Sequence, residues 1–261
     1  MRRPLICLAL LTVLAACAFE PRRVMDPLAK PAFQARVYID AAGNSLPYRL
    51  YAPAGVTETA SLPLLLLLHS ITERGADNGA NLAFFQPEFK EDFFRAHPCV
   101  AVVPQCPAGK MWWDKPVSAA VQGIVRQVAQ AVPAVDTRRL YVSGASLGGY
   151  ATYGLLKVQP TWWAAAVPLC GDPTPVPLDL KLLKEQPLWI FHGAKDPRVP
   201  VKGDRLLVGK LKSLGSAVRY TEYPDQGHRI WSKAYAEPGL WDWVFAQQKA
   251  TPADLAASPI W

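Results

Sequence analysis

Hydrophobic and polar positions along the chain fall into segments of two kinds. Some short segments are almost continuously apolar, which is typical of strands buried on both faces of a parallel sheet. They are residues 64–68, 100–103, 140–142, 164–167 and 188–191. Other segments alternate between apolar and polar positions, as strands with one exposed face do. These are residues 36–39 and 48–51, which we expect to pair antiparallel, and residues 218–223, which we expect at an edge of the sheet.

Helical patterns separate the apolar runs. They cover residues 119–132, 147–158, 203–214 and 240–248. Strands that alternate with helices predict repeated βαβ units, and therefore an α/β fold with a doubly wound, mostly parallel sheet. Because no linker interrupts the alternation, we expect a single domain over residues 33–248, followed by a loosely held C-terminal tail over residues 249–261.

The start of the chain has the pattern of a targeting segment. Arg2 and Arg3 give it a positive charge, residues 5–14 are apolar, and Leu14-Ala15-Ala16-Cys17 ends it with small side chains. The apolar stretch is too short for a transmembrane helix and is typical of a secretory signal peptide. It also resembles the lipobox of bacterial lipoproteins, which implies cleavage before Cys17 and acylation of that cysteine.

The predicted processing gives a signal peptide over residues 1–16 and a tether over residues 17–32. Acyl chains on Cys17 would hold the protein on a membrane without a spanning helix. The expected location is therefore the bacterial cell envelope, on the outer membrane or periplasmic side. A plain secretory peptide, in which Cys17 is incidental, remains the alternative.

Composition narrows the remaining classes. The 261 residues are 51% hydrophobic and carry a formal net charge of +7, which excludes a disordered or collagen-like chain. Positive residues are scattered, without the basic runs that bind nucleic acid, so no nucleic-acid partner is expected.

No metal-binding spacing is present, and neither a metal nor an organic cofactor is called for. Export would permit a disulfide among Cys99, Cys106 and Cys170, but the sequence leaves the pairing open.

The strongest chemical signal follows the apolar run at 140–142. Gly144-Ala145-Ser146-Leu147-Gly148 is a G-x-S-x-G motif between a predicted strand and a predicted helix, the setting of a nucleophile elbow. The turn is sharp enough to require residues almost without side chains two positions before and after the serine. We therefore expect Ser146 to be a nucleophile placed near a helix N-terminus, with an ordinary glycine-rich turn as the alternative.

A serine nucleophile needs a base, and the base needs an orienting carboxylate. His228 lies in a loop after the last predicted strand, and Asp196 follows the strand before it, which gives the chain order Ser, Asp, His. Asp172 and Asp225 are the rival acids. His69 and His192 each end a buried strand and are interpreted as hydrogen-bonded scaffold residues beneath the site.

Two backbone N–H groups are expected to form an oxyanion hole. The first belongs to Leu147, directly after the nucleophile. For the second we choose Ile71, in the loop after residues 64–68. Neither role depends on a side chain, so the identity of these two residues adds little. Losing one such donor typically costs about 10² to 10³ in turnover.

With these residues, the chain resembles the α/β-hydrolase superfamily. Within it, the resemblance is to the bacterial esterases of the dienelactone-hydrolase-like and feruloyl-esterase-like group, often labelled predicted peptidases or phospholipase/carboxylesterases. It covers most of residues 60–245 and implies an α/β-hydrolase fold with Ser146 as nucleophile, Asp196 as acid and His228 as base. The matching pieces are Glu73-Arg74-Gly75, Asp77-Asn78, Pro104-Gln105-Cys106-Pro107, Trp112-Trp113, Gly144 to Tyr150, Val167 to Gly171, His192-Gly193-Ala194, Val199-Pro200-Val201 and Gly227-His228. One departure is Ser70, where the group usually has glycine after the histidine.

These residues predict acyl transfer to water, that is, a serine carboxylesterase. Trp112, Trp113 and Trp231 lie in loops near the carboxyl ends of strands and are candidates for substrate binding, with packing of loops onto the core as the alternative. Because no large lid insertion is evident, a short-chain, aryl or carbohydrate-linked ester is the expected substrate. A serine peptidase with the same triad and a non-catalytic binding lipoprotein are the other hypotheses.

Overall fold

The computed structural model describes residues 32–57 and 59–256, and within them a single sheet of eight strands. Its order is β1-β2-β4-β3-β5-β6-β7-β8. The strands are β1 (Gln34–Ile39), β2 (Ser45–Tyr51), β3 (Leu62–Leu68), β4 (Val100–Pro104), β5 (Val135–Ala145), β6 (Trp163–Leu169), β7 (Trp189–Gly193) and β8 (Arg219–Tyr223). Strands β3 to β8 pair in parallel, whereas β2 pairs antiparallel with β1 and β4. The predicted doubly wound, mostly parallel α/β fold is confirmed.

Helices occupy the connections between the strands. They are α1 (Ala80–Phe85), α2 (Glu91–Ala96), α3 (Lys115–Ala131), α4 (Leu147–Val158), α5 (Leu180–Leu183), α6 (Lys202–Ser213), α7 (Trp231–Tyr235) and α8 (Leu240–Phe245), together with a short 3₁₀ helix (Ile71–Glu73). The sequence pattern predicted the longer helices and the last one, α8. It missed α1, α2, α5 and α7, each of which has six residues or fewer.

Apolar side chains of the sheet feed two cores, one on each face. Leu64, Leu66 and Leu68 of β3 pack into a core with α3, α4 and α6, while Leu65 and Leu67 pack into the opposite core with aromatic residues of α1, α2 and α7. The side chains of a strand alternate between faces, so a continuously apolar strand can cover both. The solid leucine run of β3 is therefore the direct consequence of its burial between two helical layers.

The chain after α8 differs from the expected loose tail. Lys249 N–H donates to Arg138 O, Ala253 N–H donates to Thr137 O, and the indole of Trp162 donates to Asp254 O. Lys249 and Ala253 thus bind the start of β5 by backbone hydrogen bonds, and Asp254 binds the indole of Trp162.

Several sequence predictions fall on the undescribed start of the chain. The signal peptide (1–16), Cys17 and the tether up to residue 31 lie outside the described residues. Among the residues that are described, no helix combines the length and the hydropathy needed to cross a bilayer. Cys99, Cys106 and Cys170 are buried and free of disulfide bonds.

Candidate active site

The turn between β5 and α4 is as tight as the G-x-S-x-G motif predicts. Ser146 has φ 56° and ψ −113°, a conformation that side-chain-bearing residues rarely adopt. A Cβ atom at Gly148 would lie 1.9 Å from Leu68 O, and one at Gly144 would lie 2.4 Å from Gly148 O. Only glycine fits at either position. The elbow is thereby pressed against the end of β3, and Ser146 is held by its N–H donating to Leu169 O at 2.9 Å.

The three predicted residues meet above this turn. Ser146 Oγ lies 2.8 Å from His228 Nε2, and His228 Nδ1 lies 2.7 Å from Asp196 Oδ2. With Asp196 ionised, the Nδ1 proton donates to the carboxylate, which leaves Nε2 free to accept the serine proton. Ser146 is 7% exposed and His228 9% exposed, so the nucleophile and base meet in a nearly closed site.

Asp196 is held as a carboxylate. Burial by itself would raise its pKa, but the N–H groups of Val199 and Arg198 and the hydrogen bond to His228 outweigh burial and lower the pKa. The rival acids are engaged elsewhere. Asp172 Oδ1 accepts the Thr174 N–H at 2.8 Å, and Asp225 pairs with Lys195 at the surface.

A second buried network lies behind the triad acid. His192 Nε2 donates to Val199 O at 2.9 Å and lies 3.3 Å from Asp196 Oδ2. His192 Nδ1 lies 2.5 Å from Asp204 Oδ2, and the Tyr153 hydroxyl donates to Asp204 Oδ1 at 2.6 Å. Each oxygen of the Asp204 carboxylate therefore has a hydrogen-bond donor.

The same contacts fix the charge of His192. Burial by itself would lower the pKa of His192, but the hydrogen bond to Asp204 and the charge of that carboxylate raise it. Sequence analysis identified His192 as a scaffold residue but missed Asp204. A lone acid at an otherwise buried position of α6, with a relative exposure of 1%, is the signal that could have found it.

The predicted oxyanion donors both stand at the start of a helix. Leu147 is the first residue of α4 and Ile71 is the first residue of the 3₁₀ helix. The first N–H groups of a helix have no acceptor within the helix. The elbow lies against the end of β3, from which the loop that carries Ile71 starts. The roles of the Leu147 and Ile71 N–H groups as oxyanion donors stay predictions.

Ser70 does not distort the oxyanion loop. Its φ of −76° and ψ of −178° are extended values that any residue adopts. The loop needs no glycine there, although the resembled group usually has one.

His69 fixes this loop as a neutral residue. Its Nδ1 donates to Ser70 O at 2.6 Å, and its Nε2 accepts the Cys106 N–H at 3.0 Å. Burial lowers the pKa of His69 to about 4. The scaffold interpretation of His69 accords with these contacts.

The motif pieces after β3 and β4 bind to each other. Asn78 N–H donates to Gln105 Oε1 at 2.6 Å, while Gln105 Nε2 donates to Glu73 O and to Asp77 Oδ1. Gly75 N–H donates to Cys106 O at 2.9 Å. These contacts tie the loop that carries Ile71 to the segment after β4.

The three predicted substrate-binding tryptophans have different surroundings. The predicted substrate-binding role of Trp112 is wrong. Trp112 is 2% exposed and its indole N–H donates to His69 O, so it packs beneath the loop and is unavailable to a ligand. Trp113 is 37% exposed, and its ring centroid lies 6.0 Å from that of Tyr150. Trp231 meets the base edge to face, with ring centroids 6.3 Å apart. Trp113 and Trp231 therefore remain candidates.

This arrangement has the parts required for nucleophilic catalysis. A hydroxyl is hydrogen-bonded to one imidazole nitrogen, and a carboxylate is hydrogen-bonded to the other and orients the ring. This geometry suits attack of the hydroxyl on a carbonyl carbon.

Comparisons with known sequences show a likeness to peptidases. The model of the prolyl oligopeptidase family matches residues 177–248, which include Asp196 and His228. A curated relative, uncharacterized peptidase YuxL from Bacillus subtilis (strain 168), is 24% identical over 224 residues, covering 69% of this chain. The chain spans 33% of that relative's length.

Solved structures show the same fold. A thermostable esterase superimposes with a TM-score of 0.76 at 32% identity, over 83% of this chain and 63% of its own. The S-formylglutathione hydrolase of Staphylococcus aureus superimposes with a TM-score of 0.59 at 18% identity, over 82% of this chain and 96% of its own. With the eight-stranded sheet and the elbow after its central strand β5, these likenesses show that the chain has the α/β-hydrolase fold.

Proposed function

We propose that the protein is a serine carboxylesterase. The observation that carries the proposal is the hydrogen-bonded chain from Ser146 Oγ through His228 to Asp196 at a strained nucleophile elbow. The likeness to a thermostable esterase supports the ester as substrate. Within the superfamily, the dienelactone-hydrolase-like and feruloyl-esterase-like group remains the assignment that the sequence motifs favour.

In the proposed reaction, Ser146 Oγ attacks the ester carbonyl while its proton moves to His228 Nε2. The N–H groups of Leu147 and Ile71 donate to the oxyanion, and Asp196 stabilises the imidazolium. The leaving alcohol takes the proton from His228, and an acyl-enzyme remains on Ser146. Water then attacks the acyl carbonyl and gives a proton to His228, which returns it to Ser146 as the acid leaves.

The proposed substrates are short-chain, aryl or carbohydrate-linked esters. The limited exposure of Ser146 and His228 supports a small acyl group. The exposed Trp113 and the Trp231 ring beside His228 support a ring-bearing partner.

A second candidate is a serine peptidase. It is favoured by the match of residues 177–248 to the prolyl oligopeptidase family and by the likeness to a curated peptidase. The same triad serves both reactions, so the bond cleaved distinguishes them.

The test measures hydrolysis by wild-type residues 18–261 and by Ser146→Ala. The substrates are p-nitrophenyl esters from acetate to octanoate and p-nitrophenyl ferulate. Aminoacyl p-nitroanilides provide the amide arm. We expect the wild type to hydrolyse the esters and the variant to lose about 10⁴ or more of kcat. Cleavage of the anilides as well as of the esters would favour the peptidase, and a folded but inert wild type would favour a non-catalytic binding protein.

We also propose that the protein is anchored in the bacterial envelope through acylated Cys17, on the outer membrane or periplasmic side. The lipobox-like segment before Cys17 supports this location. Expression of the full chain and of Cys17→Ser in a lipoprotein-processing host, with detergent partitioning and mass spectrometry of the N-terminal peptide, tests it. An unmodified N-terminus in the wild type would contradict the proposal.

A further inference from the structure

A pocket beside the candidate active site has a composition that the triad does not explain. It has a volume of about 420 Å³ and is lined by Trp113, Lys115, Tyr150, Lys157 and the loop over residues 175–177. That volume lies within the range of small-molecule sites, about 300–1,000 Å³. Its lining combines two aromatic residues, two lysines and a proline-rich wall.

The pocket begins next to the nucleophile. Tyr150 stands one helical turn after Ser146, since its N–H donates to Ser146 O at 3.0 Å. Burial and then the charges of Asp172 and Asp196 raise the pKa of the Tyr150 hydroxyl. From Tyr150 the pocket follows the outer side of α4 to Lys157, seven residues or about 10 Å further along the helix axis.

The two ends of the pocket differ in charge. Acidic groups influence the Tyr150 end, whereas Lys157 and Lys115 lie in its walls. The lysine ion pairs of the described chain join Lys184 to Glu185 and Lys195 to Asp225, and neither pocket lysine takes part in one. Asp179, which lines a neighbouring cleft with Lys157, is occupied by the N–H groups of Lys181 and Leu182.

Two lysines in the lining of one pocket, with no acidic residue among the other lining residues, favour an anion there. Trp113 and Tyr150, with ring centroids 6.0 Å apart at an interplanar angle of 50°, form an apolar entrance before that point. A ligand that fits both parts has an aromatic ring near Ser146 and a negative charge at its far end.

We propose that this pocket selects esters whose aromatic part carries a distal carboxylate, with the ring against Trp113 and Tyr150 and the carboxylate on Lys115 and Lys157. The proposal rests on the serine-esterase function proposed above and specifies its substrate class. The net charge, +7 for the full chain and +5 without Arg2 and Arg3 of the predicted signal peptide, would also draw such anions to the protein.

The kinetic test compares matched esters that differ only in the charge. The pairs are 4-carboxyphenyl butyrate and its methyl ester, and the longer 4′-carboxybiphenyl-4-yl butyrate and its methyl ester. We expect wild-type kcat/KM to favour at least one carboxylate over its methyl ester by about tenfold, since exposed charge pairs contribute modestly each. The preference should shrink in 0.5 M NaCl.

Lys115→Gln/Lys157→Gln is the test variant, and Lys212→Gln, an exposed lysine on α6 outside the pocket, is the matched control. We expect the ratio of kcat/KM between carboxylate and methyl ester to approach one in the double variant and to keep its wild-type value in the control. Equal turnover of both esters by the wild type, or a ratio that survives in the double variant, would overturn the pocket proposal.

A binding arm separates this proposal from the esterase proposal. Calorimetric titration with biphenyl-4-carboxylate requires no catalysis and should show binding to wild type and Ser146→Ala, about tenfold weaker in the double lysine variant. If biphenyl-4-carboxylate binds in this lysine-dependent way but no ester is hydrolysed, the pocket proposal is supported and the esterase proposal is contradicted. If neutral esters are hydrolysed but no lysine-dependent binding is found, the esterase proposal is supported and the pocket proposal is contradicted.

Discussion

His69 at the end of β3 and His192 in β7 are both fully buried, with a relative exposure of 0%, yet their partners differ. His69 contacts backbone groups, the carbonyl of Ser70 and the N–H of Cys106. His192 contacts the carboxylates of Asp204 and Asp196. Burial lowers the pKa of His69 to about 4, whereas the carboxylates raise the pKa of His192.

The difference shows that burial alone does not set the charge of a histidine. The groups facing the two ring nitrogens decide it, because a carboxylate favours the imidazolium and a backbone N–H requires an unprotonated nitrogen. On the β3 side, the buried imidazole of His69 holds the loop after the strand through two backbone hydrogen bonds. On the β7 side, the carboxylates favour the protonated imidazole of His192, and one of them orients His228.

The largest effect should follow from Asp196→Asn, which removes the negative charge shared by His228 and His192. The amide disturbs the Nδ1–H donation that leaves His228 Nε2 unprotonated, so we expect kcat to fall by about 10⁴. Steady-state kinetics on p-nitrophenyl butyrate measures it. A loss under tenfold, with the fold intact by circular dichroism, would transfer the orienting role to another acid.

Asp204→Asn should have the next largest effect. His192 loses its closest counter-charge, and breaking a buried pair costs about 3 kcal/mol of unfolding free energy. We expect kcat to fall about tenfold and the acidic limb of the pH–rate profile to move to higher pH, since the cation near Asp196 is weakened. Tyr153→Phe, which removes only the hydroxyl donor to Asp204, is the control and should leave that limb in place. An unchanged limb in Asp204→Asn would limit Asp204 to a structural role.

His69→Gln tests the neutral side through the pH dependence of stability. The pKa of His69 is about 4 in the folded protein against 6.5 ordinarily, so the unfolded state binds more protons between these values. The free energy of unfolding should therefore fall by up to about 3 kcal/mol as the pH drops from 6.5 to 4, and His69→Gln should lack that part of the slope. Urea unfolding at several pH values measures both proteins.

The raised pKa of His192 acts in the opposite direction. Its contribution to stability is present below the ordinary histidine pKa and is lost as the pH rises through the raised value. Asp204→Asn should reduce that contribution, and identical pH slopes in wild type, His69→Gln and Asp204→Asn would contradict the comparison.

Ser70→Gly should have the smallest effect. Because Ser70 already has extended φ and ψ, glycine relieves no strain and only adds freedom to the unfolded chain, at a cost of under about 1 kcal/mol. We expect kcat to change less than about threefold. A large gain in turnover would show that Ser70 narrows the site.

The sequence predicted the parts of the fold that depend on periodicity. Solid apolar runs gave the inner strands, and the elbow followed from glycines whose replacement would clash with the end of β3. Short helices such as α1 and α7 have too few residues to show a period and are stabilised by packing. Their detection required the folded chain.

Neighbouring residues with opposite environments also escaped the sequence. Trp112 and Trp113 are adjacent and identical in type, yet one is buried beneath His69 and the other is exposed beside Tyr150. Likewise, the pattern of α6 placed Asp204 on a helix without showing that it faces His192. Side-chain direction in a loop and pairing across elements depend on tertiary contacts that periodicity does not encode.

The central claim is that Ser146 is a nucleophile activated by His228. Its most direct test is labelling with a fluorophosphonate, followed by mass spectrometry of the intact protein and its peptides. We predict one adduct per wild-type chain, on Ser146, with none in Ser146→Ala and much slower labelling in His228→Ala. An adduct on another residue, or equal labelling of wild type and Ser146→Ala, would contradict the account.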